Sequence, residues 1–459
     1  MGIGSFGNAS LGDVRRSRRL VDVGRSFALG AVRGGGGTIT SVIPATHQAK
    51  AAYRLLDHPA VTHQAVIEPH GQWVRSHLDE PGITLLIEDT TALSYPNREK
   101  SAGLGPIGES STRGYWLHST LAVRWKEAAD ADQPDQCWPI GLVDQQAWAR
   151  PARRPDRRKS KGKGKESNHA RMLRENRESI RWAAALVDLP QRRNPEALWV
   201  YVADRESDIY EVFGKCSAAS VSLVIRAAHS RAIVDDEPLM KAVSQAPVMG
   251  ELQLHLPNQN RTARLEVRAA PLELKGPPRP GGRPANVTMN VVRMQEIDAP
   301  QGTEPLQWTL LTDLPIATLA DCSRAIRIYR TRWMIEELHK AMKTGLGVEQ
   351  SQLSDFRRLS TLGGIISVVS VHLLQMKWKA RTTPDTPMSA EEQNEPITRI
   401  LRKTHPPKGE PTYRWMWITI ARLGGYQARK SDGPPGWLTL WRGWQTLQTM
   451  LRGYEISTA

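Results

Sequence analysis

The spacing of apolar and polar positions divides the chain into three stretches. Up to about residue 75 the spacing is helical. A helix starts within Leu11-Gly-Asp-Val-Arg-Arg-Ser-Arg-Arg-Leu20 with Asp13 as candidate N-cap, the run Gly34 to Gly37 interrupts, and helices follow at His47 to Leu56 and Ala60 to Glu68. From Ile83 the pattern turns to strands. Ile83-Thr-Leu-Leu-Ile-Glu-Asp89 is a short apolar run ending in an acid, as in a strand covered on both faces. Tyr115 to Arg124 and Trp138 to Val143 follow as strands of an antiparallel meander. Glu166 to Leu186 has helical spacing, and Leu198-Trp-Val-Tyr-Val-Ala-Asp204 is a second apolar strand ending in an acid. A helix (Glu206 to Cys216) and a strand (Val221 to Arg226) come next. This order predicts an α/β layout with helices covering a mixed sheet. Between about 227 and 305 three alternating segments, Gly250 to Leu256, Thr262 to Ala269 and Val287 to Glu296, predict a β insertion, with Gly276 to Pro284 as a loop; Gln307 to Leu311 returns to strand. Beyond Gly347 the chain is helical: Leu359 to Trp378, a polar linker Thr382 to Glu395, then Tyr413 to Leu423 and Trp437 to Leu451. The predicted domains are 1–75, 76–350 and 351–459.

Ile326 to Lys343 stands out from this pattern. On an ideal helix, at about 100° per residue, Tyr329, Arg332, Glu336, Lys340 and Lys343 fall within roughly 80° of one another. Met334, Ile335, Leu338, Ala341 and Met342 form an apolar stripe on the opposite side, suited to packing on a sheet. A carboxylate among cations reads equally as a solvated ion-pair face or as a face that does chemistry.

Composition narrows the choice. The 459 residues are ample for a core without disulfides, and Cys137, Cys216 and Cys322 are too scattered for a disulfide framework or a zinc cluster. A reducing, intracellular setting is expected. The longest apolar stretch, Leu362 to Met376, is broken by Ser367, Ser370 and His372, so neither a signal peptide nor a membrane span is predicted. Sixty-two Lys and Arg against 47 Asp and Glu give a net charge of +15, which favours a polyanionic partner. The charge concentrates at Arg15, Arg16, Arg18 and Arg19 and in the insert Arg150 to Lys165, whose only acid is Asp156. Both suit DNA contact and both read equally as solvated surface. The tryptophans of the tail, Trp415, Trp417, Trp437, Trp441 and Trp444, suit a core or a subunit interface.

Three acids then fall into one scheme. Asp89 and Asp204 end apolar strands, where an α/β sheet opens onto a cleft, and Glu336 stands on the helix. Three converging carboxylates would make an oxygen-ligand site for Mg²⁺ or Mn²⁺, and two such ions about 4 Å apart support phosphodiester chemistry. Singly, Asp89 reads as a turn residue and Asp204 as an ion-pair partner or helix N-cap.

The spacing Tyr329-x-x-Arg332-x-x-x-Glu336-x-x-x-x-x-x-Lys343 matches the Tyr-Arg-Glu-Lys signature of the cut-and-paste DDE transposases of the insertion-sequence-four group, and the chain resembles that family along essentially its whole length. Ile87-Glu-Asp-Thr-Thr-Ala-Leu-Ser-Tyr95 resembles the segment of its first catalytic Asp and Ala203-Asp-Arg-Glu-Ser-Asp208 that of the second; Leu11-Gly-Asp-x-Arg-Arg16 and Ala421-Arg-Leu-Gly-Gly425 are also similar. The insert Arg150 to Lys165 and the segment Gly276 to Pro284 depart from the family pattern. The resemblance implies an RNase H-like, retroviral integrase-like catalytic domain with a β insertion, flanked by a helical DNA-binding domain and a helical C-terminal domain that dimerises. It implies that Asp89, Asp204 and Glu336 bind two Mg²⁺ or Mn²⁺ ions and that Tyr329, Arg332 and Lys343 grip the phosphate of a flipped nucleotide. Trp308 would stack on that base, and Arg226, Lys340, Arg15 and Arg16 would contact DNA. The partners implied are transposon-end and target DNA and a second copy of the chain on the bacterial nucleoid. The implied reaction is nicking by water, hairpin formation by the freed 3′ hydroxyl, hairpin opening and strand transfer. A DNA-binding derivative that does not cut, and a nuclease that does not join, are the alternatives.

Overall fold

The computed structural model describes residues 11, 13–30, 38–43, 45–96, 102–108, 112–128, 135–151, 178–256, 261–279, 282–429 and 431–458. Its frame is a ten-stranded sheet: β1 (Gly82–Tyr95), β2 (Gly105–Pro106), β3 (Arg113–Lys126), β4 (Gln136–Trp148), β5 (Ala197–Ala203), β6 (Ser222–Arg226), β7 (Val248–Leu256), β8 (Arg261–Leu274), β9 (Val287–Ile297) and β10 (Gln307–Thr312). The order is β2-β3-β1-β5-β6-β10-β9-β8-β7, with β4 beside β2 on the edge of β3 away from β1. β1, β3 and β4 form the expected antiparallel meander, β5 joins β1 in parallel, and β6 joins β5 in parallel. The predicted insertion is present as β7, β8 and β9, which extend the same sheet through β10.

Both faces of the central strands are covered, which is why β1 and β5 are apolar without alternating. On one face Leu85, Ile87, Val200 and Val202 pack with helices α1 (Val14–Gly30), α2 (Ile39–Val42), α3 (Thr46–Asp57) and α4 (His63–Ser76) and with the C-terminal helices. On the other, Leu86, Trp199, Tyr201 and Ala203 pack with Trp182, Leu186, α5 (Tyr210–Ala218) and α6 (Leu239–Gln245). α7 (Leu319–Thr331), α8 (Trp333–Lys340) and α9 (Phe356–Thr382) follow β10, and α10 (Ala390–Asn394), α11 (Pro396–Thr404), α12 (Tyr413–Leu423) and α13 (Trp437–Thr458) complete the chain. α9 is long and apolar enough to cross a membrane, but 83% of its most apolar window is buried inside the protein. Its serines lie in that interior: Ser367 donates to the Gly363 carbonyl at 2.7 Å. Gly363 itself is required by the Tyr115 hydroxyl, which a Cβ there would meet at 2.4 Å. Trp417, Trp441 and Trp444 are buried in the core, which settles their reading.

Four expectations change. Asp89 does not end its strand, since β1 runs on to Tyr95; what ends there is the parallel ladder with β5, whose last pair is Glu88 with Ala203. The helix expected over Ile326 to Lys343 is two helices meeting at Arg332. The Thr331 hydroxyl donates to the Arg327 carbonyl at 3.1 Å, and Arg332 and Ile335 make tighter bonds, to Tyr329 and Arg332, so the stripe changes phase there. It changes again at the wide turn Ala341–Gly345, which holds Lys343. The helix expected over Glu166 to Leu186 appears, from residue 178, as the 3₁₀ turns Glu178–Arg181 and Ala184–Asp188, separated by a left-handed Ala183 whose amide is drawn to Glu88. The helix expected from Glu206 starts at Tyr210, because Asp208 is turned aside to hold Arg231. Gly34 to Gly37 and most of the insert Arg150 to Lys165 lie outside the described residues.

Candidate active site

The site forms where the parallel ladder of β1 and β5 stops. Asp89 projects from β1, Asp204 follows β5 directly, and Glu336 lies in the first turn of α8, whose Met334, Ile335 and Leu338 are buried against the core. These carboxylates share one cation. The Arg332 guanidinium, at the break between α7 and α8, donates from Nη2 to Glu336 Oε1 at 2.6 Å. It also stands 3.8 Å from Asp204 Oδ2 and 3.9 Å from Asp89 Oδ2. Asp204 Oδ1 accepts from the Tyr329 hydroxyl at 3.1 Å and from the Arg205 amide at 2.7 Å, so Asp204 is an N-cap of the next turn as well as part of the cluster.

Electrostatics follow from partial burial. Burial pushes the Asp89 carboxyl up to about 6, against the opposing charge of Arg332 and the Thr90 amide bond, and the nearby charges of Glu336 and Glu206 add to the rise. Burial likewise lifts the Tyr329 phenol to about 12, helped by the Asp204 charge, so it remains a donor. His339, three residues after Glu336, presents Nδ1 3.8 Å from Asp89 Oδ2. Burial, then the charges of Lys343, His118 and Arg332, hold it down to about 3, which keeps the imidazole neutral.

The remaining sequence-predicted residues divide. Trp308, in β10, meets Tyr329 edge-on with ring centres 5.2 Å apart, and Arg226, at the end of β6, reaches the Gln307 carbonyl at 3.4 Å beside them. Tyr329 and Arg332 thus touch the acids, and Trp308 and Arg226 stand next to Tyr329. Lys340 points elsewhere: half exposed, it is 3.5 Å from Glu337 and 4.8 Å over the Trp333 ring. Lys343 reaches the cluster through its charge on His339. Arg15 and Arg16 lie on α1, where Asp13 caps the Arg15 amide at 2.7 Å as expected and Arg16 donates to the Leu11 carbonyl at 2.6 Å.

The sequence reading passed over His339 and a buried group behind the strand, Glu88 with His118. An acid at position 88, inside a run otherwise apolar on both faces, was a visible signal of a buried carboxylate. It was masked by the neighbouring Asp89. Glu337 was also missed; its carboxylate joins buried Lys377 of α9 and accepts from Trp437 Nε1 of α13 at 2.7 Å, clamping α8 to the C-terminal helices.

Chemically, the arrangement gathers hard oxygen donors around one positive charge. Among the described residues no three His, Cys, Asp or Glu side chains close on a metal ion as they stand. The place between the carboxylates belongs to Arg332.

Comparison with known proteins adds to the N-terminal part. Residues 4–61 match the family described as transposase DNA-binding. That match covers the segment carrying the arginine cluster and supports DNA as a partner and a transposase as the class of protein. The structure is also similar to a piggyBac transposase in a synaptic complex with hairpin DNA, at a TM-score of 0.35 and 9% identity, over 85% of this chain and 76% of that one. So distant a likeness bears neither on the site nor on the reaction.

Proposed function

We propose that the chain is a cut-and-paste DDE transposase of the insertion-sequence-four type, with Asp89, Asp204 and Glu336 as its catalytic carboxylates. The observation that carries this reading is their convergence, from β1, β5 and α8, on the single guanidinium of Arg332. The order of three antiparallel strands followed by two parallel ones supports an RNase H-like catalytic domain. The match of residues 4–61 supports end recognition by the N-terminal helices.

The donor set fits Mg²⁺ or Mn²⁺: three half-buried carboxylates, among them Asp89, whose charged form burial disfavours and a cation would favour. Bound there, two such ions would activate an attacking oxygen and stabilise the leaving one. The chain does the rest. Arg332, relieved of the acids, presents a planar fork suited to a phosphate, and Tyr329 offers a phenolic donor beside it. Trp308 supplies a ring for an unstacked base next to that phosphate, while Arg226 adds charge. The sequence of steps is a nick by water, attack of the 3′ hydroxyl on the opposite strand to give a hairpin, hairpin opening and joining to target DNA by a synaptic dimer.

The test is cleavage of DNA carrying the inverted repeats that flank the gene, with Mg²⁺ or Mn²⁺. Cutting should vanish in D89A, D204A and E336A while end binding survives. Uncut ends with the unaltered chain would favour a DNA-binding derivative, and cut ends that never join a target would favour a nuclease.

A further inference from the structure

Behind the strand that carries Asp89 lies a polar group in an otherwise apolar layer. Residues 88 and 90 face away from Asp89, and their cross-strand partners on β3 are Thr120 and His118. Glu88 is wholly buried. Its Oε1 accepts from the Thr120 hydroxyl at 2.9 Å, and its Oε2 accepts from the Tyr201 hydroxyl at 2.7 Å and the Ala183 amide at 2.8 Å. His118 Nε2 stands 3.3 Å from the same Oε2, angled off an ideal hydrogen bond. The far nitrogen of that imidazole, Nδ1, meets the Thr90 hydroxyl at 2.8 Å. Trp182 packs edge-on against the ring, 4.7 Å between centres.

This group has a direction. Thr120, Tyr201 and the Ala183 amide all donate to Glu88, and His118 stands between that carboxylate, on its Nε2 side, and Thr90, on its Nδ1 side. The Thr90 hydroxyl is the partner of Nδ1 and has its hydrogen bond there. The hydroxyl is thereby locked in one rotamer. Thr90 is also the residue whose backbone N–H donates to Asp89 Oδ1, at 2.9 Å. A line of contacts therefore runs from a buried carboxylate through an imidazole and a hydroxyl to the amide that orients the site carboxylate. Asp89 needs such help: its other neighbours, Arg332 and His339, stand 3.9 and 3.8 Å away.

A buried carboxylate is costly even when well bonded, and an apolar residue there would serve the core as well. The three strands it joins, β1, β3 and β5, are already held by their ladders. What the group adds is a fixed orientation at one residue, Thr90, beside one acid. We propose that Glu88, His118 and Thr90 act as positioning residues for Asp89, holding its carboxylate in the orientation that binds the divalent cation. This rests on the metal-binding reading of the three acids. The arrangement belongs with the outer partners that orient metal-binding carboxylates, whose loss weakens metal affinity about 10- to 100-fold.

The test uses the full chain and Mn²⁺ alone, with free Mn²⁺ followed by electron paramagnetic resonance and folding by circular dichroism. Thr90→Val keeps the shape and β-branching of the residue and removes only the hydroxyl. It should bind Mn²⁺ about 10-fold more weakly with its thermal transition little moved, and Thr90→Ser, which restores the hydroxyl, should bind as the unaltered chain does. Unchanged affinity in T90V would overturn the proposal alone. So would equal weakening in T90V and T90S, since packing rather than the hydroxyl would then matter, and so would failure of T90V to fold. Absence of Mn²⁺ binding by the unaltered chain, with D89A no different, would instead overturn the metal reading and this proposal with it.

Discussion

If Arg332 occupies the place of the cation, removing it should make the metal bind more tightly. In Arg332→Met the aliphatic stem is largely kept and the charge is lost. The guanidinium makes one charge-assisted hydrogen bond, at 2.6 Å to Glu336, and two ion pairs at 3.8 and 3.9 Å. At an effective dielectric of about 20, suited to side chains that are partly exposed, charges 3.8 Å apart interact by roughly 4 kcal/mol. Much of this is returned when a released guanidinium is rehydrated, and the charged hydrogen bond is worth about 1.5–3 kcal/mol net. An ion that must displace Arg332 therefore binds at a disadvantage of about 1.5–3 kcal/mol, a factor of about 10 to 150. Titration with Mn²⁺, read by resonance of the free ion or by calorimetry, should show R332M binding more tightly by that factor. The same variant should bind DNA ends more weakly, because the phosphate fork is gone. Equal or weaker Mn²⁺ binding in R332M would refute the idea that arginine and metal compete for one seat.

Further expectations concern the acids, the stacking ring and pH. Glu336→Gln should lose more cleavage than the ~100-fold typical of an outer partner while retaining end binding, as read by gel cleavage and mobility shift. Trp308→Ala should weaken the hold on a flipped base by about 1–3 kcal/mol, measured by fluorescence of a 2-aminopurine placed near the cleaved end. Burial holds His70 and His339 down to about 3, so both stay neutral in the folded chain while the unfolded chain takes up protons below about 6.5. Stability should therefore be fully present above that value and fall as pH drops towards 3, by up to about 1.4 kcal/mol per unit for each histidine; denaturant titrations across this range check the sign.

Much of the fold was legible because its strands are either apolar throughout or plainly alternating. β5 and β10 lie within one residue of their predicted limits, and the insertion was readable from the alternation in β7, β8 and β9. What the pattern could not show is how far a ladder continues. β1 runs past Asp89 because β3 pairs with it as far as Tyr95, a tertiary fact with no local sign. The break at Arg332 was equally hidden, since Thr331 and Arg332 are compatible with a helix, and it is the Thr331 bond to Arg327 and the demands of the acid cluster that divide it. That division matters for the site. On an unbroken helix Lys340 and Lys343 would have stood in line with Glu336; instead Lys340 pairs with Glu337 and Trp333, and the cation that meets all three acids is Arg332. Three acids could be proposed from strand ends and helix spacing, but the residue that gathers them was expected to face DNA rather than the acids. The buried network of Glu88 and His118 escaped because a polar residue inside an apolar run has no readable partner until its cross-strand neighbour is known.

The most direct measurement is diffraction from crystals soaked in Mn²⁺, with the metal located by its anomalous signal. The account predicts a peak between Asp89, Asp204 and Glu336, with carboxylate oxygens about 2.1 Å away and the Arg332 guanidinium turned out from among them. A peak elsewhere, or a guanidinium still bonded to Glu336 with no metal between the acids at saturating Mn²⁺, would contradict it.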